Sequence, residues 1–212
     1  MCLLTVVTAS ALNGTKPSGQ GTESSPFIIT KAEEYLDLAE YINIDRHYDC
    51  YVKLGNRINL RSIASNGSTP HLESVKSFDG QGHSIWGFQG THMGFIGQLA
   101  EGGTVSDLTL SPSSDFTFPD NGTVGYGVLI SDASKGGTVK GCTIEWVPTV
   151  MVPNGYLGGI VGVGPQSDAY SLVIHDCVNK VPLYGVDAVG GILGRGTANI
   201  YRCTNYIDIK GT

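Results

Sequence analysis

The 212-residue sequence predicts an all-β protein, a right-handed parallel β-helix (β-solenoid) with one capping α-helix near its N-terminal end. Three observations predict it. Two short blocks recur in a fixed order, glycine is about twice as frequent as its usual ~7%, and the one long amphipathic stretch precedes the repeats. The glycine blocks GFIG, GVLI, GIVG and GILG begin at 94, 127, 159 and 191, so their starts lie 33, 32 and 32 residues apart. Behind them follow VSDLTL at 105, VKGCTI at 139, IHDCVN at 174 and IYRCTN at 200. A unit made of short β-type runs cannot bury its apolar face alone, whereas stacked copies give every strand a parallel neighbour and a shared core. No run within the repeats is long enough to be a crossover helix.

Taken in order, residues 1–20 read as a tail or the remnant of an export signal. An apolar run from Cys2 to Val7 precedes the small triplet Ala9-Ser10-Ala11, although the positive leading region of a signal peptide is missing. Residues 21–212 read as a single β-solenoid domain, in which 21–76 hold an entry strand, the helix and a loop, and 77–212 hold the coils. In TKAEEYLDLAEYIN, Thr30 and Glu33 have capping-box spacing, and Ala32, Tyr35, Leu36, Ala39 and Ile42 share one face, with Leu38 off it. A helix over 31–43 follows. YVKLGNRINL at 51–60 has a strand-turn-strand pattern, Ser62 to Ser74 is a polar loop, and SFDGQGHSIWGF at 77–88 opens the repeats. The register predicts two core columns: Phe95, Val128, Ile160 and Ile192, and Leu108, Cys142, Cys177 and Cys203.

Composition narrows the function classes. Nineteen acidic and thirteen basic residues give a net charge of −6 without long runs, so no electrostatic footprint for nucleic acid is visible. No apolar stretch approaches the ~20 residues of a membrane span. The five histidines, at 47, 71, 83, 92 and 175, show no metal-ligand spacing, and no metal or cofactor is expected. Asn13-Gly-Thr, Asn66-Gly-Ser and Asn121-Gly-Thr fit the glycosylation pattern but are also turn chemistry, and turns are the expectation.

At this point the residues resemble a known family. GGIVG and GGILG, each followed by IHDC-VN or IYRC-TN, are similar to the GLUG-motif repeats of bacterial surface proteins, among them the N-terminal regions of immunoglobulin A-cleaving metallopeptidases. GTESSPFIITKAEEYLDLAEYIN and FDGQGHSIWGF look like the lead-in to such repeats, so the likeness covers most of residues 20–212. GFIG and GVLI depart from it in lacking a preceding glycine. The resemblance implies a pectate-lyase-like β-helix, a helix at 31–43 plugging the N-terminal end of the core, an exported or cell-surface setting, and no catalytic residue.

The candidate chemistry is sparse. Cys142, Cys177 and Cys203 share one register position, where parallel side chains suit a buried thiol column better than disulfides or a metal. Asp107, Gly141, Asp176 and Arg202 precede that column. Two carboxylates two coils apart, ~9–10 Å, would sit at the outer edge of the inverting-glycosidase range, but Asp and Gly also tolerate a left-handed bend, and Arg202 fits neither account well. Trp146, Tyr156, Tyr170 and Tyr184 are the candidate ligand-binding residues, and GPQSDAY at 164–170 is an expected outward loop. The expected function is a non-catalytic module, adhesive or spacer, of an exported bacterial protein; the rival is a carbohydrate-active enzyme of the β-helix type. The expected partners are a glycan or a host or cell-surface protein. End-to-end self-association, or continuation in a longer chain, is expected because no closing segment follows the last repeat.

Overall fold

The computed structural model describes residues 16–119, 125–145, 150–152 and 154–211. Residues 1–15 of the candidate export signal, Asn13 among them, and Asn121 lie outside them. Regular structure is mostly β, with one α-helix, Ala32–Asn43, and a 3-10 turn, Leu60–Ile63. The strands of the sheets pair in parallel.

The largest sheet runs through Phe27–Ile29, Tyr51–Leu54, Leu72–Asp79, Ile96–Ser106, Gly137–Lys140, Leu172–His175 and Asn199–Tyr201, each pairing with the next. Its register aligns Phe27, Val52, Phe78, Val105, Val139, Ile174 and Ile200 as one apolar column. From Ile96–Ser106 the same sheet branches through Ile130–Asp132 and Val161–Val163 to Leu193–Arg195. A second sheet runs through Ile58–Asn59, Ser84–Thr91, Thr109–Thr117, Thr143–Ile144, Val178–Asn179 and Thr204–Asn205, aligning Ile58, Ile85, Leu110, Ile144, Asn179 and Asn205. Two three-stranded sheets complete the set, one of Gly125–Gly127, Tyr156–Gly158 and Ala188–Gly190, the other of Val150–Val152, Leu183–Gly185 and Ile209–Gly211. Inward residues of the sheets join in one buried apolar cluster. β-Branched and aromatic residues fill it because each alternate position faces the core while its neighbours face out.

The register of the strands differs from the sequence reading in two details. The Phe95 column continues through Leu129, not Val128: the Ile96, Ile130 and Val161 amides donate to the Leu129, Ile160 and Ile192 carbonyls in turn. Gly127 pairs with Gly158 and Gly158 with Gly190, so GVLI aligns one residue earlier than its spacing suggests, and Val128 stands where Gly159 and Gly191 stand. The residue missing from the glycine pair is therefore its second member, replaced by valine.

In the helix, Leu38 is buried and Leu36 only half-buried, because the buried stripe is Ala32, Tyr35, Leu38, Ala39 and Ile42. The cap also moves by one. Lys31 is the extended N-cap residue, and Glu34, not Glu33, closes the turn by accepting from the Thr30 amide at 2.6 Å and its hydroxyl at 2.9 Å. The helix packs on Leu72–Asp79 and Leu60–Ile63. Tyr35 donates its hydroxyl to the Pro70 carbonyl at 3.0 Å, and its ring stacks on Phe95 at 5.8 Å. The polar loop closes on itself at Asn66-Gly67, both at positive φ, between the paired Ser65 and Ser68, and ends before Leu72, so Ser74 belongs to a strand.

Candidate functional site

The four predicted aromatics do not form one stack. Trp146 lies outside the described residues. Tyr156 faces Gly125 and Ala188 in its ladder, and Arg195 covers its ring at 4.4 Å while donating to its hydroxyl. Tyr184 belongs to another sheet, with Lys210 5.4 Å from its ring. Tyr170 is exposed and ends the predicted loop, in which residues 166–170 are all exposed. That loop overhangs because the last repeat is shorter: Val173 pairs with Asn199, 26 positions on, whereas Val161 pairs with Leu193, 32 on. Beneath it Tyr170, Leu172, Thr197 and Asn199 line a shallow recess.

The second core column stands as predicted. The Thr143, Val178 and Thr204 amides donate to the Leu108, Cys142 and Cys177 carbonyls, which puts Leu108, Cys142, Cys177 and Cys203 in register. Cys142 and Cys177 are buried free thiols, Cys203 is half-buried, and each of the first two donates to the carbonyl two residues before it at 3.3 Å. The hydrogen bond with Cys177, together with burial, raises the Cys142 thiol well above its usual range, so it is held as an inert thiol.

The residues preceding that column share one backbone shape. Asp107, Gly141, Asp176 and Arg202 have φ of 51°, 61°, 55° and 52°. This left-handed bend turns the chain from the first sheet into the second, and Asp and Gly adopt it at low cost. Arg202, which the sequence left without an account, adopts it too and reaches back to Asp176, with Nε–Oδ1 at 2.6 Å and Nη2–Oδ2 at 2.7 Å. His175 Nδ1 lies 2.7 Å from the same carboxylate. Arg202 first, then His175, hold Asp176 well below the usual carboxylate range. Such a group has no proton to give as a general acid, and the row of Gly141 separates it from Asp107.

Two surfaces remain. On the last row, Val186, Ile200, Tyr201, Tyr206 and Ile209 are exposed, and Asn199–Tyr201, Thr204–Asn205 and Ile209–Gly211 each pair on one side only among the described residues. Nearer the helix, Tyr48, His71, Glu73, Met93, Gln98 and Asp132, with Ser74, Gly97 and Ser131, line a cleft of about 400 Å³. Tyr48 donates to Glu73 at 3.1 Å and Gln98 Nε2 to Asp132 at 3.4 Å. Burial pushes the His71 imidazole below its usual value, against the opposing pull of Glu73. Linear reading missed this cleft because its residues come from five separated stretches without motif spacing. The signal that could have found it is register: Ser74, Gln98 and Asp132 are partners on three neighbouring strands.

No family model matches the chain, and no curated protein matches it. Among solved structures, the chain is similar to the crystal structure of a putative immunoglobulin A1 protease from Bacteroides ovatus, with 18% identity and a TM-score of 0.44, over 93% of this chain and 80% of that one.

Proposed function

We propose that the parallel ladders close into a right-handed β-solenoid of the GLUG-repeat kind, that residues 21–212 form one such domain, and that it serves as a non-catalytic module of an exported bacterial surface protein, as a spacer or adhesive segment. The observation that carries the reading is the persistence of register. Columns of like residues run through successive repeats although the loops between them differ in length. A scaffold of this kind adds length by adding rows of about 4.8 Å and presents its loops on a constant frame. The rival enzymatic reading loses its best acid, since Asp176 is ion-paired in the row of bends.

The reading makes whole repeats removable. Deleting residues 158–189 joins Leu157 to Gly190, the residue in register with Gly158. That variant should keep its β-type circular dichroism and a cooperative melt. Deleting 158–173 instead joins Leu157 to Ile174 across different ladders, and should unfold the chain. If the whole-repeat deletion unfolds, or both deletions fold equally well, the chain is not a stack of interchangeable rows.

A further inference from the structure

We infer that the paired imidazoles of His71 and His92 form an acid-opened latch, whose protonation releases the helix Ala32–Asn43 from the rows it covers. The two rings lie 5.1 Å apart. His92 is anchored in the first rows: its ring stacks on the fully buried Phe88 at 5.1 Å, its Nε2 lies 3.1 Å from the Ser68 hydroxyl, and its amide donates to the Thr117 carbonyl at 3.0 Å. His71 belongs instead to the segment that ties down the helix. Tyr35 donates its hydroxyl to the Pro70 carbonyl at 3.0 Å, Asn43 Nδ2 donates to the His71 carbonyl at 2.8 Å, and the Glu73 amide donates to Asn43 Oδ1 at 2.8 Å. These bonds join the helix to residues 70–73, and the contact between the rings joins those residues to the core.

The surroundings keep both rings neutral. Burial lowers His71 against the opposing pull of Glu73, an exposed carboxylate that already accepts from Tyr48 at 3.1 Å. Burial, and after it His71, lower His92 against smaller upward pulls from the backbone at Gln89 and Thr69. The other charged groups on the elements packed here have partners or face solvent. Asp132, across the cleft from His71, is held by Gln98 and by the Ser134 amide at 2.7 Å. Arg61, on the 3-10 turn against the helix, donates to Ser113 at 3.4 Å, Lys76 donates to the Glu101 carbonyl, and Asp115 is exposed. On the helix the buried stripe is apolar, and the buried carboxylate of Asp37 lies toward Lys16 and Phe27.

A proton on each ring sets two like charges 5.1 Å apart beside the core, where they are poorly screened. The contact then pushes the two segments apart. Once released, each imidazole returns to solvent and toward the ~6.5 of a free ring. The open form therefore binds more protons, and falling pH shifts the balance toward it. His92 is held against the buried Phe88, so residues 70–73 are the part that moves, and the acceptors of Tyr35 and Asn43 move with them. Tyr35 is fully buried and stacked on Phe95 at 5.8 Å. A phenol that loses its acceptor there is left unpaired in the core, at a cost that favours departure of the whole helix over fraying of its end. Release uncovers Tyr35, Leu38 and Ile42 on the helix and Leu72 and Phe95 beneath it.

The latch concerns the helix and the first rows alone and stands whether or not the sheets close into a solenoid. With the full chain labelled for NMR, amide protection relative to the intrinsic exchange rate is followed from about pH 8 to about pH 5. The amides of Leu38, Ala39 and Ile42 should lose protection together, by about tenfold or more, a shift of about 1.4 kcal/mol, while Val139 and Ile174 hold theirs. Replacing both rings, His71→Gln with His92→Gln, should remove the response. His47→Gln should not, although that exposed imidazole stacks on Tyr41 of the helix at 4.0 Å. Should the double variant not fold, the ring protons of His71 and His92 titrated in the unaltered chain decide, since the helix must open where those rings protonate. Helix amides that stay protected while Leu72 and Phe95 open, an undiminished response in the double variant, or opening at a pH where both rings are still neutral would each overturn it.

Discussion

The early and late rows of the molecule share one ladder and fill it differently. In the second sheet the aligned residues are Ile58, Ile85, Leu110 and Ile144, and then Asn179 and Asn205. Beside them, Val128 gives way to Gly159 and Gly191. The early rows are packed by aromatic rings in sequence: Phe95 meets Phe88 at 5.4 Å, Phe88 meets Phe116 at 5.3 Å, Phe116 meets Phe118 at 5.0 Å, and Phe118 meets Tyr126 at 5.2 Å. In the late rows Asn179, fully buried, donates to the Val181 carbonyl at 3.1 Å and to Asn205 at 2.7 Å, and accepts from the Val181 amide at 3.1 Å. Large apolar side chains stabilise by about 1.5–3 kcal/mol each when buried and tolerate imprecise neighbours. A buried carboxamide stabilises only if each of its bonds is made, which demands a fixed neighbour and room for it. Glycine supplies the room, so in the late rows the glycine pair and the asparagine occur together, and both are absent from the row of Val128 and Ile144.

That comparison breaks most readily at one register position. A Cβ on Gly159 would lie 2.2 Å from the Gly191 carbonyl oxygen and 2.5 Å from Asn179 Cγ. One is backbone and the other a hydrogen-bonded side chain, so neither yields cheaply. Gly159→Ala should cost about 3 kcal/mol or more, at the upper end of overpacking effects. Val128→Ala at the corresponding place removes buried methyl groups and should cost about 1–3 kcal/mol. Urea denaturation of both decides it. A Val128→Ala loss as large as that of Gly159→Ala would mean that the two fillings are equally forgiving.

The same contrast explains what the sequence disclosed. The late rows are legible because glycine, cysteine and asparagine recur there for reasons of close approach, which few residue types satisfy. The early rows are filled mainly by large apolar residues, with Gly94 the exception at the register of Val128, and the one-residue misplacement of Val128 arose where the glycine pair was lost. The helix was found but rotated by one position, because the stripe can include Leu36 or Leu38 and only packing on Leu72–Asp79 selects Leu38. The bends at Asp107, Gly141 and Asp176 were readable from residue type. The Arg202 ion pair was not, since it depends on a side chain reaching a neighbouring row. The cleft was invisible for a related reason: its charges are set by which strands become neighbours.

A smaller effect should separate the two regions by pH. His71 and His92 lie 5.1 Å apart, with His92 also 5.1 Å from Phe88. Burial lowers both, and His71 lowers His92 further. Their folded values therefore sit below the ~6.5 of a free imidazole. A histidine depressed by folding contributes stability that is complete above that value and is lost as pH falls through the folded one. Amide protection, taken relative to the intrinsic exchange rate at each pH, should accordingly fall below about pH 6.5 around Leu72 and Phe95, and not at Val139 or Ile174. His92→Gln should flatten the dependence. A uniform loss of protection along the chain would locate the acid sensitivity elsewhere.

The smallest effect belongs to the last row, and it separates two causes that coincide at Arg202. The residue bends left-handed at φ 52°, and its guanidinium grips Asp176 and lies 4.8 Å from the Tyr201 ring. Both side chains of the ion pair are largely in solvent, 65% and 42% exposed, where such pairs contribute little. The bend, by contrast, recurs in every row of that column and is least tolerated by a β-branched residue. Arg202→Gly and Arg202→Val both abolish the ion pair and differ in the backbone they prefer. The glycine variant should melt at or slightly above the temperature of the parent, as Gly141 at the same register implies, and the valine variant below it. If both fall together, the grip on Asp176, and not the shape of the chain, is what holds the final row in register.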